Sequence, residues 1–543
     1  MSRLSLTKLL LALLLVLSGQ TFGQAESKTE SQPQTATGYV FHDANNNRQR
    51  DAGEKVLPGV RVSNGVEIVS TNEKGQYQLP VTDDTILFVI KPQGWRTPLS
   101  RNLTPEFYYI HKPKGSPESK YAGVKPTGPL PASVDFPLYP QKEPAEFRAI
   151  FFGDPQPRDQ KEIDYIAHDV IEELVGTDAS FGVTLGDILF DDLSLFESQA
   201  RGIALLGIPW YNVIGNHDIN YDAPNDKLSD ETFERAFGPS YYSFDYGTVH
   251  FIALDDIEWI VSEKNKKGKY EGGLGKEQME FIKNDLKQIP ADQLVVLMMH
   301  IPLVDVNDRQ ELYRLIEQRP FCMSISGHTH HHEHRFITKA DGWRGPQPHH
   351  HIINVTVSGS WWSGSPDERG IPHTVMADGA PNGYSIIRFN GKEYNLDFRA
   401  AGRSEKYQMN IMAPEEVPAN QLAETEVIVN VFNGSERSKV EMLIGKAGTW
   451  VPMEFQPGID PSFKKLSESE NGVKDKKYRD LPKAKQSTHL WHAKLPAGLE
   501  PGTHLLRVRT VEMDGDKHQS GRVIRVVPAK PAEKTASTAV TEK

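Results

Sequence analysis

Five apolar segments in the middle of the chain each end in residue types that bind metal ions. The segments are FRAIFFGDPQ, FGVTLGDILFDD, PWYNVIGNHD, LVVLMMH and PFCMSISGHTH. Short apolar runs separated by helix-like spacers are typical of buried parallel strands, whose carboxyl ends meet at one edge of an α/β sheet. The sequence therefore predicts one metal-binding rim formed by Asp154, Gln156, Asp187, Asn216, His217 and Asp218, with further ligands from His300, His328 and His330.

The predicted rim combines carboxylate, carboxamide and imidazole groups, and none of its members is a thiol. This mixture suits hard or borderline divalent ions. Asp187 lies between the other two early segments, and its two carboxylate oxygens could bridge two ions. Two ions ~3.5–4 Å apart would clamp a phosphoryl group and activate a water molecule for in-line attack. The residue types thus indicate metal-assisted hydrolysis of a phosphate ester.

The ordered segments resemble the calcineurin-like metallophosphoesterases, whose pattern is D-x-H, G-D, G-N-H-D, a lone His and G-H-x-H. The resemblance covers roughly residues 145–403, where this chain has DPQ, GD, GNHD, the lone His300 and GHTH. It implies two divalent ions, which would be Mn, Fe or Zn. One ion would be held by Asp154, Asp187 and His330 with Gln156 nearby, and the other by Asp187, Asn216, His300 and His328.

The chain departs from the family pattern at Gln156, where the family usually has histidine. A carboxamide oxygen is a neutral, harder and weaker ligand than imidazole. The resemblance also implies that His217 protonates the leaving oxygen, which needs an imidazole poised near neutral pH. A carboxylate usually orients this histidine, and Asp191 or Asp192 could do so here. Asp218 is expected to anchor the loop.

These inferences favour an exported, dimetal-dependent phosphoric ester hydrolase that uses metal-activated water, with His217 as general acid. The alternative is a non-catalytic surface or carbohydrate-binding protein whose phosphoesterase domain is degenerate, and Gln156 is the only feature that favours it. The sequence does not distinguish monoester hydrolysis from diester hydrolysis. It also does not identify the substrate, which could be a sugar phosphate, a nucleotide, a phospholipid head group or a phosphoprotein.

Length and composition predict about three globular domains. The chain has 543 residues, of which 38% are hydrophobic and 24% charged, which is ordinary for globular proteins. The net charge of −11, with no basic stripe to offset it, argues against nucleic acid as a partner. Cys322 is the only cysteine, so no intrachain disulfide is possible and we expect a small buried hydrophobe.

Residues 1–24 have the pattern of a secretory signal peptide. Arg3 and Lys8 give a positive start, Leu9–Leu17 is apolar, and small residues follow. No later segment reaches the ~18 apolar residues of a membrane helix. We therefore expect an exported protein, periplasmic or extracellular, that is soluble after cleavage. A linker is expected at 25–36 and a disordered tail at 529–543.

The expected fold class is α/β with three domains. Residues 37–140 are predicted to form an N-terminal β-domain, and residues 404–528 a C-terminal, immunoglobulin-like β-sandwich. Residues 145–403 would form the phosphoesterase domain, which the resemblance implies to be a β-sandwich of two sheets flanked by helices. Within it we expect helices at Asp159–Val175, Leu193–Leu206 and Lys276–Ile289, and a hairpin about Gly247.

A second metal site is predicted in the N-terminal domain. The positions 1, 3, 5, 9 and 12 of a twelve-residue loop are occupied by Asp43, Asn45, Asn47, Asp51 and Glu54, which is the ligand spacing of a calcium loop. Arg48 stands where glycine is expected, and the flanks have strand patterns. The segment resembles the calcium-bearing prealbumin-like or Cna-B-like repeats of exported bacterial proteins. The alternative is an Asn-rich turn without an ion.

Two groups of residues beyond the ligand set attract notice. The spacing of the extra histidines matches no ligand set, so exposed loop positions are expected for His331, His332, His334, His349, His350 and His351. The pair Trp361 and Trp362 and the turn at 378–383 follow the last ligand. They would either contact substrate or, for the tryptophans, pack the central domain against the C-terminal sandwich.

Overall fold

The structure, a computed structural model, describes residues 34–445 and 448–529. The predicted signal peptide at 1–24, the predicted linker up to residue 33 and the predicted tail from residue 530 lie outside the described residues. The first strand begins at Gln34, so the last three residues of the predicted linker already belong to a sheet. No helix in the described part of the chain is long and apolar enough to cross a membrane.

The N-terminal region consists of two four-stranded sheets. The strands of the first sheet are, in order, Gln76–Val81, Gln34–His42, Phe136–Pro140 and Trp95–Arg96. Those of the second are Ile68–Ser70, Arg61–Ser63, Thr85–Val89 and Tyr108–His111. Alternation along the strand at 76–81 places Tyr77, Leu79 and Val81 inside, as expected for a sheet with one buried face.

The central region also contains two large sheets. The first has the strand order Trp210–Val213, Phe181–Leu185, Glu146–Phe152, Gly383–Asn390 and Glu393–Ala400. The second has the order Tyr242–Tyr246, Val249–Ala253, Leu294–Met298, Cys322–Ser326, His349–Ile353 and Glu333–Ile337. Five of these strands precede predicted ligands. The three in the first sheet pair in parallel with one another, and so do the two in the second sheet. A separate hairpin joins Ile257–Val261 to Gly268–Gly272.

Aromatic side chains fill the space between the two central sheets. The ring of Phe181, on the first sheet, lies 5.6 Å from Phe244 and 5.3 Å from Phe251 on the second. Every residue of the strand at 181–185 is buried, because both of its faces are covered. Cys322 is only half-buried and packs against this main core at the start of its strand.

Helices cover the outer faces of the central sheets. The first sheet is covered by continuous helical turns at Gln160–Ile166, Ala167–Ile171 (a π-helical turn) and Glu172–Leu174, and by Phe196–Ile203. The other α-helices of this region are Glu231–Phe237, Gly275–Leu286 and Arg309–Ile316. Short 3-10 turns occupy Leu193–Leu195, Ala204–Leu206, Asp226–Leu228, Leu303–Asp305 and Lys339–Asp341. The three predicted helices and the hairpin about Gly247 are confirmed within one to three residues.

The C-terminal region is again rich in β-strands. One sheet contains Met409–Met412, Glu426–Val431, Leu490–Lys494 and Glu454–Phe455. The other contains Glu416–Pro418, Lys517–Val527, Gly502–Val511, Lys439–Ile444 and Val451–Pro452. The turn Ala419–Glu424, the short pair Gly458–Ile459 and Gln486–Ser487, and the helix Pro461–Asn471 complete it. The predicted fold class is confirmed, while the predicted domain boundaries stay predictions.

A buried ion network joins the N-terminal region to the central region. Arg61 contacts Asp245 at 2.7 Å and Asp285 at 2.9 Å. The same two carboxylates hold the imidazole of His250 between them at 2.7 and 2.8 Å. Burial lowers the pKa of His250, but the two aspartates outweigh it and raise the pKa to about 9. A buried imidazolium is stable here because each of its two N–H groups has an anionic partner.

The prediction that the extra histidines occupy exposed loops is wrong. Five of them are buried in or beside two adjacent strands of the second central sheet, namely His332, His334, His349, His350 and His351, and His331 is half-buried. Hydroxyl and amide groups from other segments satisfy several of their nitrogens, as where Ser324 Oγ lies 2.7 Å from His351 Nδ1. Asn433 Oδ1 of the C-terminal region likewise lies 2.9 Å from His334 Nε2, whereas His332 Nδ1 has no partner among the described residues. Buried imidazoles are tolerated when such partners exist.

Candidate metal centre

All the predicted ligands lie just beyond the carboxyl ends of parallel strands. In the first central sheet, Asp154 and Gln156 follow the strand at 146–152, Asp187 follows the strand at 181–185, and Asn216 follows the strand at 210–213. In the second sheet, His300 follows the strand at 294–298, and His328 and His330 follow the strand at 322–326. The two sheets face each other across the aromatic core, so both sets of strand ends open onto one rim.

The backbone of the rim is left-handed at several non-glycine residues. Positive φ angles occur at Asp154 (41°), Gln156 (46°), Asp187 (48°), His328 (73°) and His330 (54°). Such conformations cost ~1–3 kcal/mol each and persist only where the surrounding structure enforces them, as it does at functional sites. Close packing demands glycine beside them, because a Cβ atom on Gly215 would lie 2.0 Å from the amide nitrogen of Asp187.

Four of the predicted ligands converge on one point. His300 Nε2 lies 3.3 Å from Asp187 Oδ1, 3.1 Å from Asn216 Oδ1 and 3.1 Å from His328 Nδ1. The ligand atoms of Asp187, His300 and His328 lie within 4.8 Å of one another. These are the residues that the family resemblance assigns to the second ion, and the structure brings them together. Two imidazole nitrogens that face each other beside a carboxylate need a shared cation or a proton between them.

The ligands assigned to the first ion are arranged more loosely. His330 Nε2 lies 3.6 Å from Asp154 Oδ1. Gln156 Nε2 donates a 2.7 Å hydrogen bond to Asp187 Oδ2, whereas its Oε1 is buried and has no hydrogen-bond partner among the described residues. A buried carbonyl oxygen without a partner is costly. A metal ion is a partner that fits this oxygen, so Gln156 suits the position that the family usually gives to histidine.

Backbone carbonyls set the ring orientation of two ligand histidines. His300 Nδ1 donates to the carbonyl of Leu185 at 2.9 Å, and His330 Nδ1 donates to the carbonyl of Gly359 at 2.5 Å. With a proton held at Nδ1, the Nε2 atom of each ring faces the rim, which is the usual orientation of a metal-bound histidine. Burial lowers the pKa of His328 to about 4 and that of His330 to about 3, so both rings are neutral at physiological pH.

The two central carboxylates titrate in opposite directions. Burial raises the pKa of Asp154 to about 7. Burial also raises the pKa of Asp187, but His300 and His217 outweigh it and hold that pKa well below its usual range. In turn, burial lowers the pKa of His300, while Asp187 outweighs burial and raises it to about 10. Asp187 is therefore an ionised carboxylate at the centre of the site, which is the form that binds a cation.

His217 points to a different partner from the ligand histidines. Its Nδ1 lies 2.6 Å from Asp191 Oδ1, and its ring stacks on Phe190 with 4.4 Å between ring centroids. Burial lowers the pKa of His217, but Asp187 and Asp191 outweigh burial and raise the pKa above its ordinary value. Of the two carboxylates that the sequence offered, Asp191 makes the contact, while Asp192 accepts hydrogen bonds from Ser194.

Asp218 holds the first-sheet loops together. Its Oδ2 accepts hydrogen bonds from Gly215 N at 2.9 Å and Ile188 N at 3.1 Å, and its Oδ1 accepts from Leu189 N at 3.1 Å. These bonds tie the loop that carries Asp187 to the loop that carries Asn216. The geometry is that of a loop anchor, as the sequence predicted.

The tryptophan pair and the turn at 378–383 occupy different surroundings. Trp361 stacks on His330 with 4.1 Å between ring centroids, whereas Trp362 is buried against the helical side of the first sheet. Asp378 accepts a hydrogen bond from His332 N at 2.9 Å and lies 3.2 Å from His489 of the C-terminal region. The turn thus packs between regions, and contact of Trp361 with substrate stays a prediction.

Three side chains next to the ligands were not predicted from the sequence. Tyr221 donates to the carbonyl of Asn216 at 2.7 Å, the ring of Tyr270 lies 6.1 Å from that of His328, and Lys485 Nζ lies 3.3 Å from the Thr329 carbonyl. Tyr221 is only five residues beyond Asn216 and could have been found by proximity. Tyr270 and Lys485 carried no signal, because separate segments bring them to the rim.

The N-terminal acidic loop keeps its side chains paired. Asp43 accepts hydrogen bonds from Asn47 N, Arg48 N and the Tyr139 hydroxyl, the last at 2.7 Å. Both Asn45 and Asn47 donate to Asp51 Oδ2, and Glu54 accepts from Ala44 N and Asp51 N. Arg48 adopts φ 64°, the left-handed conformation that glycine usually supplies there. Calcium binding by this loop stays a prediction.

Three family models match separate parts of the chain. The model for the calcineurin-like phosphoesterase matches residues 147–332, which contain every predicted ligand. The models for the N terminal and the C terminal of calcineurin-like phosphoesterase match residues 44–124 and 351–518. No curated protein matches the chain.

Two solved structures are similar over parts of this chain. One is a purple acid phosphatase, PPD1, from yellow lupin (Lupinus luteus) seeds, with 13% identity, coverage of 68% of this chain and 67% of that chain, and a TM-score of 0.34. The other is CopC from Methylosinus trichosporium OB3b, with 15% identity, coverage of 22% of this chain and 93% of that chain, and a TM-score of 0.14. At these scores neither structure supports a comparison residue by residue.

Proposed function

Because this chain belongs to the calcineurin-like phosphoesterase family and is a metal-dependent phosphoesterase, we propose that it is an exported, dimetal hydrolase of phosphate esters with His217 as general acid. The observation that carries the proposal is the meeting of Asp187, His300 and His328 at one point of the rim. Without bound cations, this carboxylate and these imidazole groups would be buried polar groups with poor compensation.

The family implies a dinuclear metal centre, and the residues present fit it. We assign one ion to Asp154, Asp187, His330 and Gln156, and the other to Asp187, Asn216, His300 and His328. The unpartnered Gln156 Oε1 and the rim-facing Nε2 atoms of His300 and His330 support this assignment. Two bound Mn, Fe or Zn ions would polarise the phosphoryl oxygens and activate a water molecule.

In this proposal the side chains around His217 hold one proton and direct it to the leaving oxygen of the substrate. Asp191 accepts the Nδ1 proton of His217, so the second proton of the imidazolium is held at Nε2. From there it is transferred to the leaving oxygen as the bond from phosphorus breaks. Stacking on Phe190 keeps the plane of the ring fixed during the transfer. The backbone amide of His217 donates to Asp187 Oδ1 at 2.9 Å, which ties the acid to the ligand loop.

The test of the proposal is an activity screen with a metal analysis. Purified protein is loaded with Mn²⁺, Fe²⁺ or Zn²⁺ and offered sugar phosphates, nucleotides, phospholipid head groups, phosphopeptides and nitrophenyl esters. We expect two ions per chain by elemental analysis and hydrolysis of at least one class. Failure to hydrolyse any ester with any metal would favour the non-catalytic surface or carbohydrate-binding alternative.

Export is tested separately at the N-terminus. If residues 1–24 are a cleaved signal peptide, protein from the native host begins near Gln24 or Ala25 and is found outside the cytoplasm. N-terminal sequencing of the fractionated protein measures this. An intact Met1 in the cytoplasmic fraction would contradict export without affecting the proposed chemistry.

A further inference from the structure

A segment of the C-terminal region, residues 472–487, lies across the central region beside the rim, and we call it the strap. Its Arg479 carbonyl accepts a hydrogen bond from Gly364 N at 3.0 Å, and its Lys485 amide donates to the carbonyl of Ala377 at 2.9 Å. Between these points Leu481 is buried with Ala377 and Phe463. The strap is therefore fixed on both sides of a small apolar core, and its side chains have defined positions.

Arg479 connects the strap to the loop that carries the tryptophan pair. Its guanidinium donates to the carbonyl of Trp362 at 3.3 Å and pairs with Glu162 at the start of the first helix. The neighbouring Trp361 is the residue that stacks on His330. The strap therefore contacts the loop whose Trp361 ring packs on a predicted metal ligand.

Lys485 extends from the strap to the rim itself. Its Nζ lies 3.3 Å from the carbonyl of Thr329, the residue between the ligands His328 and His330. This cation therefore lies beside the backbone segment that carries two of the predicted ligands.

The charge of Lys485 is not neutralised by any carboxylate within residues 34–445 and 448–529. By contrast, Lys476 of the same strap pairs with Asp480 and Arg479 pairs with Glu162. The Lys485 side chain is exposed at the rim. An ammonium with three donors and one carbonyl partner retains donors for an anion.

Phosphate monoesters and diesters differ in what they offer such a cation. A monoester dianion has three non-bridging oxygens and two negative charges at neutral pH, whereas a diester has two non-bridging oxygens and one charge. Two metal ions held by the rim ligands would interact with two of these oxygens. Only the monoester would then have a third charged oxygen left for a separate donor, while a diester has a neutral ester oxygen in its place.

We propose that Lys485 binds a non-bridging oxygen of the substrate phosphate, so that the C-terminal region completes the site and selects phosphate monoesters over diesters. The inference rests on the proposed phosphoesterase function and specifies its substrate class. Lys485 is a substrate-binding residue in this scheme. Proton transfer to the leaving group stays with His217, which lies on a loop of the other central sheet.

The kinetic test compares matched esters of the same leaving group. 4-Nitrophenyl phosphate and bis(4-nitrophenyl) phosphate are hydrolysed by the full-length, metal-loaded protein, by Lys485→Met and by Lys485→Arg. For Lys485→Met we expect kcat/KM on the monoester to fall ~10- to 100-fold, since one charge-assisted hydrogen bond is lost, and kcat/KM on the diester to change less than about twofold. Lys485→Arg keeps the cation and should retain most of the monoester activity.

The control variant is Lys483→Met, which removes the same charge two residues away. Lys483 is exposed on the strap, and among the described residues it forms no ion pair. If the effect of Lys485 were a general change of surface charge, both variants would show it. We expect Lys483→Met to leave both esters unaffected.

A binding measurement gives a readout that does not depend on turnover. Calorimetry with inorganic phosphate should show ~10-fold or greater weakening in Lys485→Met, while the affinity for dimethyl phosphate, a monoanionic diester, stays unchanged. Elemental analysis should give the wild-type metal content for every strap variant, because Lys485 is not a ligand.

Each other outcome has a defined meaning. A wild type that prefers the diester, or a Lys485→Met that loses both esters equally or neither, overturns the inference and leaves the proposed phosphoesterase function in place. If the wild type hydrolyses neither ester, but Lys485→Met selectively loses affinity for phosphate, the role of Lys485 in binding is supported. The same result counts against the proposed catalysis. Loss of metal in Lys485→Met would also overturn the inference.

Discussion

Two groups of histidines in the central region have opposite surroundings. The rim histidines His300, His328 and His330 follow strand ends. In His300 and His330 the Nδ1 atom donates to a backbone carbonyl, so that Nε2 faces other predicted ligands. The histidine cluster, which consists of His332, His334, His349, His350 and His351, lies in or beside strands. There His351 has a serine hydroxyl at each nitrogen, Ser324 at 2.7 Å and Ser326 at 3.1 Å.

The position of a histidine along a strand determines whether its imidazole is a hydrogen-bonded part of the core or a candidate metal ligand. Inside a strand, neighbouring strands supply neutral hydrogen-bond partners at regular spacing, and the ring becomes a satisfied part of the core. Beyond the strand end the backbone turns away, and side chains from several loops meet with groups left unpaired. The rim can therefore bind a cation, whereas the histidine cluster stabilises the fold.

The largest effect is expected for Asp187→Asn at the rim. The change removes the charge that faces both ligand sets, so both ions should be lost and activity should fall by more than the ~10- to 100-fold typical of losing a residue that only supports a ligand. Elemental analysis and hydrolysis rates measure this. Asp378→Asn, which changes a buried carboxylate outside the rim, is the matched control and should keep its metals. A fully metallated Asp187→Asn would contradict the assignment.

His217→Ala should separate acid catalysis from metal binding. Loss of leaving-group protonation costs ~10²–10⁴-fold on alkyl esters, and less on nitrophenyl esters, whose leaving groups need no proton. Metal content should stay at the wild-type level, unlike that of Asp187→Asn. Asp191→Asn should show a smaller loss with the same dependence on the leaving group. Full activity of His217→Ala on alkyl esters would exclude it as the general acid.

In the histidine cluster, His351→Ala should affect stability and leave the metals in place. The substitution creates a buried cavity and removes the partner of two serine hydroxyls, which should cost about 2–4 kcal/mol of unfolding free energy. Urea denaturation monitored with and without Ser324→Ala measures the coupling between the two residues. Loss of metal from His351→Ala with an unchanged unfolding free energy would contradict the contrast drawn here.

His250 sharpens the comparison, because it is buried and paired with charges. The groups that face it are Asp245 and Asp285, with Arg61 and Lys91 beside the carboxylates. Its pKa is raised from 6.5 to about 9 in the folded protein, so the stability it adds is fully present below pH 6.5 and is lost as the pH rises through 9. The expected slope is at most ~1.4 kcal/mol per pH unit.

The measurement for His250 is urea denaturation between pH 6 and 10. His250→Gln retains hydrogen-bonding capacity without the titration, so its unfolding free energy should lack this component of the pH dependence. Identical pH profiles for the wild type and His250→Gln would show that the imidazole is neutral in the folded protein.

The smallest effect is expected at the N-terminal loop, where every carboxylate already has amide or hydroxyl partners. Calcium at tenfold excess over its Kd should stabilise the folded loop by ~1.4 kcal/mol through mass action. Full-length Asp187→Asn, whose rim is expected to hold no ions, is melted thermally with and without Ca²⁺. The same measurement is made after Glu54→Gln is added. Equal midpoints in all samples would favour the turn without an ion.

The convergence of the ligands was predictable from local sequence alone. Each ligand group follows a short apolar strand, and the strand-end rule for α/β sheets places such residues together without knowledge of the topology. The same reasoning identified Asp218 as a loop anchor, and the structure narrows the partner of His217 from two neighbouring aspartates to Asp191. Chemistry that is encoded at strand ends is visible in sequence.

Long-range partnerships were not predictable. The burial of His351 depends on hydroxyls in a neighbouring strand, 25 and 27 residues away, so its sequence neighbours gave the wrong expectation of an exposed loop. The contact of Lys485 with Thr329 spans 156 residues. Pairings of this kind follow from the packing of whole regions, which periodicity in one segment does not encode.

The buried ion network of Arg61, Asp245 and Asp285 has a consequence for the evolution of proteins with this domain arrangement. A gene that passed on the central region alone would encode Asp245 and Asp285 around a single imidazole, without the guanidinium that neutralises them. An unpaired buried carboxylate is strongly destabilising, so recombination at this boundary would be selected against. We therefore expect the N-terminal and central regions to be inherited as a pair, and substitutions at Arg61 to survive only together with changes in the two aspartates.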